Sequence, residues 1–153
     1  ISYDDPERSL ELIWDAAESA SFRDSINDFP LKMETMVGER GVTLSGGQKQ
    51  RATLARGLIR DAPVLILDDC FSSVDTETEE HILSRLKHLR ADKTTILVSH
   101  RISTLRHSDR IIVLQEGEIV EMGSHDELLK LDGAYAQLER AQTQSDEFEV
   151  VAG

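Results

Sequence analysis

The sequence lacks the features that mark several common classes of protein. Its 153 residues include one cysteine, Cys70, so no internal disulfide can form, as is typical of proteins from reducing compartments. The longest apolar run, Ala62–Leu67, is far shorter than the roughly 20 residues that a membrane-spanning helix needs. Residues 1–15 are acidic and amphipathic, and this pattern differs from that of a secretory signal peptide.

Positive charge is also scarce. The chain carries 17 lysines and arginines against 29 aspartates and glutamates, which gives a net charge of −12. This balance disfavours nucleic acid or an anionic membrane surface as the main partner. Residues 40–114 are the exception, with 12 basic and 9 acidic side chains. A small polyanionic ligand would be attracted to this segment, although most of its individual charges are expected to lie on solvated helix faces.

A glycine–lysine pair is missing as well. The phosphate loop G-x-x-x-x-G-K-[ST] requires a lysine directly after a glycine, and none of the five lysines has a glycine before it. The chain also begins with Ile1 rather than methionine. Both observations predict that this sequence is a piece of a longer chain.

Hydrophobic periodicity and capping signals predict an alternation of helices and strands. Such an alternation is typical of an α/β fold with a parallel sheet and right-handed crossovers. Residues 142–153 are polar and acidic, and they are predicted to be disordered. The predicted elements are helices from Asp5, Ser21–Phe29 and Gly47–Arg60, a buried strand Val64–Leu67, a helix from a Thr76 capping box, a strand Thr94–Ser99, a short helix Ile102–His107, a hairpin of Arg110–Gln115 with Glu118–Gly123, and helices from Ser124 and Ala134.

Polar residues follow both strands of the predicted parallel sheet. Ligands bind at the carboxyl ends of such strands, which points to Asp68 and Asp69 after the first and to His100 after the second. A carboxylate at a strand tip is suited to Mg²⁺ beside nucleotide phosphates. A cap for the next element is an equally frequent role for Asp68, and a single histidine such as His100 is more often structural.

A serine and two glycines lie at the start of the helix predicted for Gly47–Arg60. Ser45, Gly46 and Gly47 would direct free backbone N–H groups and the positive end of a helix toward an anion. The glycines permit close approach of the backbone, and the Ser45 hydroxyl adds a donor. A plain helix cap by Ser45 is the alternative.

Taken in order, four motifs resemble those of the ATP-binding cassette (ABC) family. They are the signature "LSGGQ" (Leu44–Gln48), the apolar strand with aspartate (Val64–Asp68), the D-loop "SSVD" (Ser72–Asp75) and the switch histidine His100. The resemblance covers residues 1–141. The segments "VGERG" before the signature and "SHRISTLRHSDRIIVLQEGEIVEMGSHDELL" at 99–129 are similar to the exporter branch, in which this domain is fused to a membrane-spanning half.

The resemblance implies the carboxyl part of a P-loop NTPase (ABC ATPase) fold. Residues 1–62 would form the helical subdomain with the signature helix, and residues 63–141 the carboxyl half of the RecA-like core. The family's phosphate loop, adenine-stacking aromatic and glutamine loop would lie upstream of Ile1. The isolated fragment is therefore expected to be inactive and to bind ATP weakly or not at all.

The family's chemistry assigns a role to each motif, with ATP and Mg²⁺ as cofactors. Two cassettes close head to tail, so the signature faces the γ-phosphate of ATP held by a second ABC subunit. By the same resemblance, Asp68 binds Mg²⁺ through water, His100 contacts the γ-phosphate of its own subunit's ATP, and Asp75 reaches across the interface. The signature residues are Leu44, Ser45, Gly46, Gly47 and Gln48, and the D-loop residues are Ser72, Ser73, Val74 and Asp75.

Asp69 departs from the family pattern, in which a glutamate follows the strand aspartate and orients the attacking water. Aspartate is shorter by one methylene, roughly 1.5 Å of reach. Because a misplacement of about 1 Å can cost on the order of 100-fold in rate, Asp69 is expected to support hydrolysis poorly. Heterodimeric exporters combine such a weakened carboxylate with an intact signature, so a heterodimer is favoured over a homodimer.

The implied function is ATP-driven export of drugs, lipids or similar amphipathic compounds. The domain would lie at the cytoplasmic face of the plasma (inner) membrane, coupled to an upstream transmembrane domain of the same chain, with no nucleic acid as partner. Two alternatives remain open: a slow or non-catalytic regulatory ATP-binding subunit, and a soluble ATPase of the same family.

Overall fold

The computed structural model describes the backbone of residues 1–38 and 41–152 and the side chains of residues 1–38 and 41–144. The chain divides into two compact units, Ile1–Val98 and Ser99–Gly153. Glu39 and Arg40 of the "VGERG" segment lie outside the described residues. Within the described part of the chain, none of the helices has the length and apolar character needed to cross a membrane.

Among its described residues, the first unit contains four α-helices and a two-stranded parallel sheet. Each residue of β1 pairs with one of β2, from Val64 with Thr94 to Asp68 with Val98, and α4 forms the crossover between them. This confirms the predicted parallel arrangement. The elements are α1 (Leu10–Ser19), α2 (Arg23–Asp28), a 3-10 turn (Lys32–Glu34), α3 (Gly46–Leu58), β1 (Val64–Asp68), α4 (Thr76–Leu89) and β2 (Thr94–Val98).

Three helix starts were predicted at the wrong residue. Helix α1 begins at Leu10, because the Ser9 side chain accepts from the Leu12 N–H, whereas Asp5 accepts from Glu7 in a turn before the helix. Helix α4 is capped by Asp75 rather than by Thr76. Helix α2 has no side-chain cap, and the Ser21 cap predicted for it is absent. For α1 and α4 several capping residues lie close together in the sequence and the folded chain uses one of them, whereas α2 begins without a side-chain cap.

The hydrophobic core of the first unit joins residues from both sides of position 62. Ala17 and Ile26 from the first two helices share this core with Leu54 of α3, Leu65 of β1 and Ile82 of α4. The predicted boundary between a helical subdomain and the RecA-like core near residue 62 stays a prediction, because residues on both sides of it share one core. Trp14 packs against the same cluster, as its helical spacing predicts.

Strand β1 is covered on one face only, which corrects the prediction of a fully buried strand. Leu65 and Leu67 are buried, whereas Val64 and Ile66 are 51% and 64% exposed. Val98 of β2 is 51% exposed as well. An all-apolar strand is typical of a sheet packed on both faces, but this unit supplies packing for one face alone.

The second unit is built around a β-hairpin. Strands β3 (Ile111–Gln115) and β4 (Glu118–Gly123) pair antiparallel through a tight turn at Glu116 and Gly117, both with positive φ, as the sequence predicts. Its core consists of Ile102, Ile111, Leu128 and Tyr135. Its helices are α5 (Ile102–Leu105), α6 (His125–Leu131) and α7 (Ala134–Ala152).

The two helices after the hairpin begin with well-defined caps. Ser124 and Glu127 form the predicted capping box of α6, with Glu127 Oε2 accepting from the Ser124 N–H at 2.8 Å. The Glu121 carboxylate of β4 accepts hydrogen bonds from the backbone N–H groups of Ala134 and Tyr135. Glu121 thereby satisfies two donors in the first turn of α7 and fixes this helix to the hairpin.

Helix α7 continues to Ala152, where the sequence predicts a disordered tail from residue 142. Residues 134–152 contain neither glycine nor proline, so no residue interrupts the helical hydrogen bonds. Amino-acid composition alone does not show that helix-breaking residues are absent from this segment.

Candidate functional site

The signature turn is the N-terminus of α3. Ser45 Oγ accepts from the Gln48 N–H at 3.2 Å, and Gln48 Oε1 accepts from the Ser45 N–H at 3.0 Å. This is a complete capping box, so the structural role considered for Ser45 is present. The cap uses the oxygen of Ser45 as an acceptor, and its hydroxyl proton stays available as a donor.

The same turn retains the features of an anion site. The N–H groups of Gly46 and Gly47 belong to the first turn of a 13-residue helix and therefore have no intrahelical acceptor. No acidic side chain lies in this turn, whereas the first turn of α4 carries Glu77 and Glu79. The positive end of α3 is thus not neutralised by its own residues, and an external anion would be stabilised there.

The turn is also fixed in position by packing. Leu44 is buried in the core of the first unit, directly before the exposed Ser45. On the other side, Gly46 and Gly47 lie against the D-loop: a Cβ at position 47 would come within 2.7 Å of the Ser73 carbonyl oxygen, and one at 46 within 3.3 Å of the Ser73 side chain. Glycine at 47 is therefore required by the close approach of the D-loop backbone.

The D-loop is held by one glutamine of α3. Gln50 Nε2 donates to Ser72 Oγ at 2.7 Å, and Gln50 Oε1 accepts from the Ser73 N–H at 2.9 Å. Val74 anchors the loop in the core, and Asp75 caps α4 by accepting from the Thr78 N–H at 2.9 Å. The hydrogen bond from the Thr78 backbone lowers the pKa of Asp75 below its ordinary value. The signature and the D-loop consequently form one connected surface.

Asp68 and Asp69 are adjacent but have different backbone conformations. Asp68 ends β1 in an extended conformation on the exposed face of the strand. Asp69 has φ 46°, in the left-handed region, while its N–H donates to the Val98 carbonyl at 2.9 Å and extends the pairing with β2. The two carboxylates therefore leave the strand in different directions and can serve different purposes. Aspartate tolerates this conformation better than longer side chains do.

An open cleft of about 440 Å³ lies beside these carboxylates, between α3 and β1. Lys49 and Gln50 line one side, and Asp68, Asp69 and Cys70 line the other. Burial raises the pKa of the Cys70 thiol to about 12, so this sulfur is protonated at neutral pH. Cys70 is thus not a thiolate nucleophile in this state.

The strand tip fits a Mg²⁺ ion that is coordinated partly by the protein and partly by nucleotide phosphates, rather than one enclosed by protein ligands alone. Within the described residues, no group of three histidine, cysteine, aspartate or glutamate side chains could hold a metal ion. Mg²⁺ is usually bound by one or two carboxylates together with phosphate oxygens and water. The exposed carboxylate of Asp68 matches that mode of binding.

His100 lies in the second unit, in the loop before α5. Its side chain is exposed, and its backbone carbonyl accepts from Gln142 Nε2 of α7 at 2.5 Å. The neighbouring Ser99 Oγ accepts from the Arg101 N–H at 3.0 Å, which shapes the same loop. The second unit thereby presents an imidazole from a loop whose backbone is held by side chains.

Sequence reasoning missed two glutamines of this region. Gln50 stands two positions after Gln48 in "LSGGQKQR", so its place in the signature helix offered a weak signal. Gln142 follows His100 by 42 residues, at the point where the predicted last helix gives way to the predicted tail, and no local pattern links the two. Both side chains hold the backbone of a loop, which only tertiary contacts reveal.

Comparison with known proteins places these motifs in a family. A family model described as "ABC transporter" matches residues 4–72. The ATP-dependent lipid A-core flippase of Photobacterium profundum is 53% identical over 127 residues, which cover 83% of this chain and 22% of the flippase. The flippase of the same name from Legionella pneumophila (strain Paris) is 47% identical over 142 residues, covering 93% of this chain and 24% of that protein.

A solved structure supports the same assignment. A bacterial Atm1-family ABC exporter with ATP bound matches with a TM-score of 0.83 and 41% sequence identity, over 92% of this chain and 24% of the exporter chain. The chain therefore spans about a quarter of the length of the relatives that it matches. With the signature turn, the D-loop and the strand tip arranged as described, the chain belongs to the ABC transporter family, and its fold is that of part of the family's nucleotide-binding domain.

Proposed function

We propose that this chain is part of the ATP-binding and ATP-hydrolysing domain of an ABC exporter. The observation that carries the proposal is the exposed N-terminus of α3, where Ser45, Gly46 and Gly47 offer donors that their own helix does not use. A turn of this kind is suited to the phosphate of a nucleotide that is held by other residues. The second cassette of a dimer supplies such a nucleotide.

The transported compound in this proposal is an amphipathic lipid. The similarity to proteins named lipid A-core flippases and to an Atm1-family exporter favours the exporter branch over soluble ATPases. The domain acts at the cytoplasmic face of the membrane, coupled to a transmembrane part of the full-length protein. In this proposal, the choice among lipids rests with that transmembrane part.

Each motif has a defined task in the proposed cycle. ATP supplies the phosphoanhydride bond whose hydrolysis resets the closed dimer. The Ser45 hydroxyl and the N–H groups of Gly46 and Gly47 donate hydrogen bonds to the γ-phosphate on the partner cassette, which stabilises closure. Asp68 would hold Mg²⁺, which would neutralise charge on the phosphates, and His100 would donate to the γ-phosphate of ATP bound by its own subunit.

Asp69 sets the rate at this subunit's own site. Its carboxylate would orient the attacking water, but it reaches roughly 1.5 Å less far than a glutamate would. We therefore propose a heterodimer in which this chain's signature completes the faster site on the partner. A slow, regulatory ATP-binding role for this subunit is the second candidate, and Asp69 is the observation that favours it.

A pair of substitutions at Ser45 tests the phosphate-facing role. Aspartate and asparagine both cap helices about as well as serine, so Ser45→Asp and Ser45→Asn leave the start of α3 intact. Ser45→Asp places a negative charge against the phosphate and is expected to abolish ATPase activity of the full-length exporter, whereas Ser45→Asn retains a measurable part. Equal activities for the two variants, at equal thermal stability, would contradict the proposal.

Asp69→Asn in the full-length pair tests the heterodimer. The pair is expected to keep most of its ATPase activity, because the partner's site carries the turnover, while removal of the corresponding carboxylate from the partner abolishes it. A near-total loss of turnover from Asp69→Asn alone would show that Asp69 is the working catalytic carboxylate and would overturn this arrangement.

Calorimetry tests whether this chain can bind ATP without the rest of the full-length protein. Because the phosphate loop is expected in another part of the full-length protein, the isolated chain should bind ATP weakly or not at all. A dissociation constant in the micromolar range would contradict this, because it would mean that this chain binds the nucleotide by itself.

A further inference from the structure

The side-chain amide of Gln142 makes two hydrogen bonds to the loop that carries His100. Gln142 Nε2 donates to the His100 carbonyl at 2.5 Å, and Gln142 Oε1 accepts from the Ile102 N–H at 2.9 Å. One partner is a pure acceptor and the other a pure donor, so only one orientation of the amide satisfies both. Gln142 thus holds the backbone on both sides of Arg101.

The start of α5 takes its hydrogen-bond acceptor from Gln142, because no side chain at its N-cap supplies one. Ile102 is the first residue of α5, and the N-cap residue Arg101 provides no side-chain acceptor for that helix. The Ile102 N–H belongs to the first turn and has no intrahelical partner. Gln142 Oε1 supplies the missing acceptor from a residue 40 positions away.

The helix that carries Gln142 is itself firmly seated. Tyr135 of α7 is 2% exposed, and its hydroxyl lies 2.9 Å from His125 Nδ1. The Glu121 carboxylate accepts from the Tyr135 N–H at 3.1 Å and so holds the first turn of α7. Gln142 therefore extends from a rigid support, about two turns beyond a buried anchor.

We propose that Gln142 is a positioning residue for His100: by holding the His100 carbonyl and the Ile102 N–H together, it fixes the direction in which the imidazole is presented to the γ-phosphate. The inference deepens the proposed function and rests on it for the ligand. It also links the position of α7 to that of His100, since a shift of this helix would move the histidine.

The specific consequence is discrimination between ATP and ADP. His100 contacts only the γ-phosphate, so a displaced imidazole weakens binding of ATP and leaves binding of ADP unchanged. Loss of a charge-assisted hydrogen bond corresponds to roughly a tenfold or larger loss of affinity. A residue that merely supported the fold would weaken both nucleotides alike or lower the melting temperature.

The test compares three variants in the full-length exporter. Gln142→Ala removes both bonds. Gln142→Glu keeps the acceptor for the Ile102 N–H but removes the donor to the His100 carbonyl. Gln144→Ala changes an exposed glutamine of the same helix and is the matched control. ATP and ADP affinities at this subunit's site are measured by competition with a fluorescent nucleotide, and exchange of the Ile102 amide by hydrogen–deuterium exchange.

Gln142→Ala is expected to weaken ATP binding about tenfold with ADP binding unchanged, and to accelerate exchange at Ile102. Gln142→Glu should weaken ATP binding while preserving slow exchange, and Gln144→Ala should alter neither. Unchanged ATP affinity in Gln142→Ala, equal loss for ATP and ADP, or unchanged exchange at Ile102 overturns the inference. Failure of the unmodified exporter to bind or hydrolyse ATP overturns the proposed function instead, so the two failures are distinguishable.

Discussion

Gln50 and Ser73 join the signature helix to the D-loop: Gln50 Oε1 accepts the backbone N–H of Ser73 at 2.9 Å, 23 residues away in sequence. The nitrogen of the same side-chain amide, Gln50 Nε2, donates to Ser72 Oγ. The two loops that would face a partner cassette are therefore one surface within this subunit. Their relative positions are set before any partner binds.

Gln50→Ala removes both hydrogen bonds and is expected to lower the free energy of unfolding by about 1–3 kcal/mol, because each bond contributes about 0.5–1.5 kcal/mol. Gln50→Glu should recover part of this stability, since a carboxylate accepts from the Ser73 N–H and, once the Ser72 hydroxyl turns away from the Asp69 carbonyl, from that hydroxyl as well. Urea unfolding followed by circular dichroism measures the difference. Gln137→Ala, at an exposed glutamine of α7, is the control, and a loss as large in that variant would contradict the assignment.

Two glycines of α3 should respond in opposite directions to alanine. At Gly47 a Cβ would lie 2.7 Å from the Ser73 carbonyl oxygen, so Gly47→Ala must displace the D-loop and should cost about 1–3 kcal/mol. At Gly57 the nearest atom is Leu65 Cδ1 at 3.6 Å, an ordinary contact. Gly57→Ala should therefore stabilise the helix by up to about 1 kcal/mol. Melting temperatures of the two variants check the prediction, which fails if both shift in the same direction.

Acid should weaken the cap of α4. The pKa of Asp75 is lowered, mainly by the Thr78 backbone N–H, so its contribution to stability is fully present above the unfolded pKa near 4 and is lost as the pH falls through the folded pKa. Asp75→Asn keeps a good cap but does not titrate. This variant should match the original protein at pH 7 and lose less stability between about pH 4 and pH 2. Identical pH dependence in urea unfolding would rule out the cap as a source of acid sensitivity.

Cys70 should resist alkylation while the protein is folded. Burial raises the pKa of its thiol to about 12, whereas a free cysteine has a pKa of about 8.5, so the reactive thiolate fraction at pH 8 is lower by roughly three orders of magnitude. Mass spectrometry after brief exposure to iodoacetamide measures the reaction, with the protein unfolded in guanidinium as the reference. Similar modification rates in both states would show that the thiol is accessible and ordinary in pKa.

Asp69→Glu should accelerate hydrolysis at this subunit's own site by roughly tenfold or more, because the longer side chain restores reach toward the water. The left-handed backbone at Asp69, with φ 46°, opposes this gain, since glutamate is less well accommodated there. Single-turnover measurements with the partner's carboxylate removed isolate the effect. No change in rate would mean that reach at position 69 does not limit hydrolysis.

Features that depend on neighbouring residues could be predicted from the sequence. The cap by Ser45, the capping box of Ser124 and the tight turn at Glu116 and Gly117 are local, because each needs residues only one to three positions apart. The parallel pairing of β1 with β2 also followed from a strand–helix–strand order that admits few topologies. The motif order was sufficient to indicate the family.

The choice among several equivalent local signals depends on packing between elements. Ser9 rather than Asp5 starts α1, and Asp75 rather than Thr76 caps α4, because packing of each helix fixes where its first turn lies. The contact of Gly47 with Ser73, and the bonds from Gln50 and Gln142 to distant loops, join residues that are far apart in sequence, up to 42 positions for Gln142 and His100. No periodicity or spacing encodes such pairs, since they arise only when whole helices and loops come together in the folded chain.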